Sequence, residues 1–144
     1  MYIQIYKNLM AKIKVEKESN TLVDKIVDVM EEKMGKDIAV LDFHSIKHAL
    51  FDYFIICHGS SKVKVASFAE SIEENIFKSL HIKPHKKEGF ENAEWILLDY
   101  FDVIVHVFLD QTRDFYKLEN LWADAEIKKI EKTNSGKNVR TKSK

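Results

Sequence analysis

The stretch Trp95-Ile-Leu-Leu-Asp99-Tyr100-Phe101-Asp102-Val-Ile-Val-His106-Val-Phe108 constrains the fold of this chain more than any other. It holds two apolar runs of strand length, rich in β-branched and aromatic residues, separated by Asp-Tyr-Phe-Asp, a pattern that predicts a β-hairpin turning at Tyr100 and Phe101. A two-residue turn pairs Asp99 with Asp102 and makes Trp95 and His106 direct cross-strand partners. Alternation then places Ile96, Leu98, Val103, Val105 and Val107 on one face, which reads as core. The other face carries Trp95, Leu97, Asp99, Asp102, Ile104, His106 and Phe108. Such a mixture of indole, imidazole, carboxylate and apolar bulk suits either contact with a partner or burial under a helix.

Whether a core can form around the hairpin depends on chain length. With 144 residues, 45% of them apolar, one globular domain with a sizeable core is expected. The single cysteine, Cys57, excludes an intrachain disulfide and fits a reducing compartment. No apolar run approaches the roughly 20 residues that cross a bilayer, so a soluble, cytoplasmic protein is expected. Formal charge is zero overall, yet residues 128–144 hold seven Lys or Arg against Glu131 alone, which leaves residues 1–127 at −6. An acidic body favours a basic partner, and a basic tail favours polyanions or solvated disorder.

Residues 1–18 read as an extension: Met1 to Leu9 precede a second methionine, Met10, where translation is expected to begin, and a Lys/Glu-rich linker follows to Glu18. The domain proper is expected over residues 19–127, and residues 128–144 form the basic, disordered tail. Val23, Ile26, Val27, Met30 and Met34 recur at helical spacing from Thr21 to Met34, with Gly35 as terminator. Asp37 to Asp42 and Tyr53 to Cys57 read as buried strands separated by a loop. Ser60 or Ser61 caps a helix whose stripe is Val65, Phe68, Ala69, Ile72, Ile76 and Leu80, ending before Pro84, the only proline. A short strand is expected near Pro84 to Glu88. After the hairpin, a last helix starting at Asp110 or Thr112 puts Phe115, Leu118, Leu121, Trp122 and Ala125 on one side. The fold class is therefore α/β, a small mixed sheet covered by helices, whose strand order does not follow from the sequence.

Several features invite a chemical reading. Gly59-Ser60-Ser61 between a strand and a helix could hold phosphate, as in nucleotidyltransferases. The paired carboxylates that would bind metal are missing, because no acid follows before Glu70, and the turn reads as a cap. A divergent enzyme would have to recruit distant acids such as Asp42 or Asp99. His44 and His48 lie in a predicted loop, Pro84 separates His81 from His85, and neither pair makes a metal site. Cys57 reads as inert packing. Asp99 and Asp102 read as turn acids. No catalytic residue, metal or cofactor is called for.

Taken together, Asp37-Ile-Ala-Val-Leu-Asp42, Asp52-Tyr-Phe-Ile-Ile-Cys-His-Gly-Ser60, Glu94-Trp-Ile-Leu-Leu-Asp-Tyr100, Asp102-Val-Ile-Val-His-Val-Phe108 and Arg113-Asp-Phe-Tyr-Lys-Leu-Glu-Asn-Leu-Trp-Ala-Asp-Ala125 resemble the ribosomal silencing factor, or Iojap, family. The resemblance spans Thr21 to Ala125. It implies a non-enzymatic translation repressor with a nucleotidyltransferase-like topology that lacks the catalytic acids. Such a factor binds protein number fourteen of the large ribosomal subunit and blocks joining of the small subunit; mitochondrial relatives act in large-subunit assembly, and some members form homodimers. By position, Trp95, Asp99 and Asp102 to His106 would contact the ribosomal protein, and Tyr100 and Phe101 would extend the contact area. The basic tail lies outside the resemblance and supports a separate reading, an RNA-binding large-subunit assembly factor that contacts ribosomal RNA through Lys128 to Lys144. Phe101 stands where the family often has glycine, and phenylalanine disfavours the positive φ of a tight turn.

Overall fold

The computed structural model describes residues 2–132 and 138–143, with side chains described for 3–13 and 20–131. Seven strands form one sheet: β1 (Lys36–Asp42), β2 (Tyr53–Gly59), β3 (Lys86–Glu88), β4 (Trp95–Asp99), β5 (Val103–Leu109), β6 (Glu126–Lys132) and β7 (Asn138–Ser143). Their spatial order is β3-β4-β5-β2-β1-β6-β7. Only β2 and β5 run parallel; every other pair is antiparallel, so the sheet is mixed as expected. Joining parallel strands requires a crossover, which α2 (Lys62–Leu80) and the β3–β4 hairpin together supply.

Both faces of the central strands are covered. Helices α1 (Tyr2–Glu32) and α2 pack on one face, over Ile38, Val40, Ile55, Ile96, Leu98, Val103, Val105 and Val107. The stripe Val65, Phe68, Ala69, Ile72 and Ile76 is buried there, and Ser61 caps the helix by accepting the Lys64 N–H at 3.2 Å. The opposite face is covered by the irregular segment 43–52 and by α3 (Asp110–Tyr116) and α4 (Leu118–Leu121). Phe43 and Phe51 from that segment pack edge-to-face with Trp122, at 5.2 and 5.8 Å between ring centres.

Four expectations change. Helix α1 does not begin after a linker at Glu18 but runs unbroken from Tyr2, its first turns leaving Ile3, Ile5, Tyr6 and Leu9 exposed. It also stops earlier, because Met34 takes a φ of 65° and the Gly35 N–H closes onto the Met30 carbonyl at 2.8 Å. Met34 is therefore an exposed terminator, not a core residue. The single last helix is broken at Lys117 (φ 47°), which shifts the phase of the stripe: Leu118 and Ala125 are buried, whereas Phe115 and Leu121 are exposed. Finally, the tail read as solvated disorder contributes strands. Lys128 and Lys129 pair with Val40 and Ala39 of β1, and β7 pairs with β6 from Asn138 to Ser143, where open backbone N–H and C=O groups of a sheet edge find partners. Residues 133–137 and Lys144 of that tail, and Met1, lie outside the described residues.

Candidate docking face

The hairpin forms, with both faces as alternation assigns them, but in a different register. Leu97 stands opposite His106 and Trp95 opposite Phe108, a shift of two residues from the pairing that a turn at Tyr100 and Phe101 requires. The cause lies at the turn. Phe101 adopts φ 71°, the Asp102 N–H donates to the Tyr100 carbonyl at 3.0 Å, and the Tyr100 N–H donates to the Val103 carbonyl at 2.9 Å. The chain thus reverses over Phe101 and Asp102, between the closing pair Tyr100 and Val103 and one residue later than expected, and Asp102 is not paired with Asp99. Asp99 instead accepts the Phe101 N–H at 2.8 Å through its carboxylate, fixing the turn locally. The Phe101 ring, 64% exposed, stacks on His85 at 4.3 Å.

On the mixed face, the indole of Trp95 is half-buried. It stacks on Phe108 at 4.9 Å, meets Tyr116 at 5.1 Å, and donates its Nε1–H to His106 Nδ1 at 3.0 Å. Tyr116 in turn meets Phe115, and these two rings are 51% and 80% exposed. An aromatic strip therefore runs from the hairpin onto α3, through Trp95, Tyr116 and Phe115. The sequence reading placed Phe115 in the apolar stripe of the last helix and gave Tyr116 no role. Their signal was present, since two consecutive aromatics cannot both face the core from one amphipathic helix.

Two of the six residues named for contact are withdrawn from the surface. His106 is 3% exposed, packed against Phe54 and Phe108, and Tyr100 is buried on the opposite face among the core residues. Desolvation drives the His106 pKa down to about 3, and burial raises that of the Tyr100 hydroxyl. Neither His106 Nε2 nor the Tyr100 hydroxyl has a hydrogen-bond partner among the described residues. Trp95, Asp99, Phe101 and Asp102 keep exposed surface.

The enzyme-like features are not brought together. Asp42 lies beside Tyr53, and Asp99 pairs with Ile104, itself beside Phe54, so both acids sit at the start of β2. Gly59 and Ser60 lie at its far end, across seven residues or about 20 Å. Lys64 Nζ donates to Ser60 Oγ at 3.2 Å, and a Cβ on Gly59 would stand 3.0 Å from the Phe68 ring, so the turn serves close packing and capping. Cys57 is buried, its thiol pushed up to about 12 by desolvation. His58 lies 3.0 Å from the Arg113 guanidinium, and both burial and that cation hold its pKa down. His44 is engaged by Asp42 at 2.6 Å, and among the described residues no group of three His, Cys, Asp or Glu is placed to hold a metal ion. No described helix is long and apolar enough to cross a membrane.

The fold is of the α/β class, a covered mixed sheet with an aromatic strip at Trp95 and carboxylates at the hairpin turn. Residues 16–144 match the family described as "Ribosomal silencing factor during starvation" (RsfS), and the chain belongs to that family. It is 41% identical over 97 residues to ribosomal silencing factor RsfS of Bacillus subtilis, covering 67% of this chain and 80% of that relative. The mouse protein named mitochondrial assembly of ribosomal large subunit protein 1 is 27% identical over 103 residues, 69% of this chain and 44% of its own length. A crystal structure of a Chromobacterium violaceum protein superposes with a TM-score of 0.68 at 33% identity, covering 72% of this chain and 85% of that one. The family match reaches further than Thr21 to Ala125, since it takes in β6 and β7.

Proposed function

We propose that this ribosomal silencing factor acts without catalysis, in the cytoplasm, by docking on protein number fourteen of the large ribosomal subunit and obstructing the small subunit by bulk. The observation that carries this reading is the half-exposed Trp95 at the head of the aromatic strip, with Phe101 exposed and Asp99 and Asp102 at the turn. Rigid aromatic anchors dominate protein interfaces, and carboxylates beside them select a partner rich in Lys and Arg. The mouse relative is named for assembly of the ribosomal large subunit, which supports a partner on that subunit. Losing such an anchor costs at least about 2 kcal/mol, or ~30-fold in affinity. Trp95→Ala is therefore expected to weaken co-sedimentation with purified large subunits and to relieve inhibition of subunit joining. Equal co-sedimentation of folded mutant and wild type overturns the proposal.

A second contact, with ribosomal RNA, is supported by the basic charge of residues 128–144, seven Lys or Arg against Glu131 alone, much of it carried on the paired backbones of β6 and β7. A polyanion contact of this kind adds a salt dependence that the aromatic strip lacks. Replacing Arg140 and Lys142 by Gln should lower the salt slope of large-subunit binding by about one to two, and an unchanged slope removes the RNA contact.

A further inference from the structure

Trp indole N–H groups only donate, so the 3.0 Å contact between Trp95 Nε1 and His106 Nδ1 fixes the histidine as the neutral tautomer with its proton on Nε2. That Nε2–H is buried and has no acceptor among the described residues. An orphaned buried donor is a defect the fold could avoid with a leucine of similar size, because Trp95 is only half-buried and water could serve its N–H. What the histidine supplies instead is one acceptor aimed at one indole. Stacking on Phe108 and contact with Tyr116 restrain the plane of that indole, but neither selects which edge of it points outward. The hydrogen bond does.

We propose that His106 is a positioning residue: it touches no partner, and it locks Trp95 in the orientation that docks. The proposal rests on Trp95 being the anchor of the docking face. It predicts that the two positions are coupled, and that loss of the acceptor harms binding without harming the fold.

The test uses the full-length chain with nitrogen-15 labelling and large-subunit co-sedimentation. His106→Leu is expected to release the Trp95 indole N–H, seen as a shifted resonance exchanging with solvent at least about tenfold faster, and to weaken binding about tenfold, with the unfolding midpoint unchanged or raised. His106→Asn, whose side-chain oxygen stands near the position of Nδ1, is expected to restore both protection and affinity. Should His106→Leu fail to fold, the same coupling is read with His106→Met, which also removes the ring acceptor: it must weaken binding in the wild-type background and have no further effect in a Trp95→Phe background, which lacks the indole N–H. Wild-type affinity for His106→Leu, with its indole released and Trp95→Ala still defective, overturns the positioning role alone. Wild-type affinity for Trp95→Ala overturns the docking face, and the positioning role with it.

Discussion

Acid is expected to destabilise this protein through one buried side chain. In the folded chain, His106 holds its proton only below about pH 3, because desolvation penalises the imidazolium, whereas the unfolded chain binds that proton near the ordinary 6.5. Between these values the unfolded state carries one proton more than the native state, so stability rises with pH across the window and falls as pH drops through it. A fully developed difference of this size is worth about 5 kcal/mol below pH 3, of which about 2 kcal/mol is already lost at pH 5 relative to pH 8. Total stabilities of single domains are about 5–15 kcal/mol, so the loss at pH 5 is large enough to read by urea unfolding. His58, held down by burial and Arg113, acts in the same direction. The informative quantity is therefore the difference between wild type and His106→Leu. The variant should lose about 2 kcal/mol less between pH 8 and pH 5, and identical slopes would refute the assignment of the neutral, desolvated imidazole.

Four further substitutions, at three positions, probe the elements around the hairpin and β2. Phe101 sits at φ 71° with its ring largely in solvent, so Phe101→Gly should leave the unfolding free energy within about 1 kcal/mol of wild type, whereas Phe101→Val, β-branched at positive φ, should cost about 1–2 kcal/mol more than glycine in urea melts. A methyl at Gly59 would stand 3.0 Å from the buried Phe68 ring, and Gly59→Ala is expected to lower stability by about 1–3 kcal/mol; no change would show that Phe68 yields freely. Ser61→Ala removes the cap of α2 and should cost about 1 kcal/mol, read as a lowered midpoint in thermal unfolding followed by circular dichroism.

What the sequence made legible on the hairpin was parity. A register shift of two residues leaves every side chain on its own face, so the core face of Ile96, Leu98, Val103, Val105 and Val107 and the mixed face survive an error in the turn. Pairing itself depended on Phe101, where the chain takes a conformation that phenylalanine does not advertise, and the Trp95–His106 contact persists as a diagonal hydrogen bond across the true register. Exposure was the harder quantity. It depends on what lies over a face, and the cover of the mixed face is an irregular segment around Phe43 and Phe51, with no period to read, together with a helix broken at Lys117. The same holds for β6 and β7, whose Lys-rich composition belongs equally to a solvated tail and to strands at a sheet edge. The candidate site is thus divided by its cover. Where the irregular segment and α3 close over the sheet, His106 becomes a buried strut. Where they stop, Trp95 reaches the surface with its indole N–H held by His106, which is the geometry the proposed docking requires.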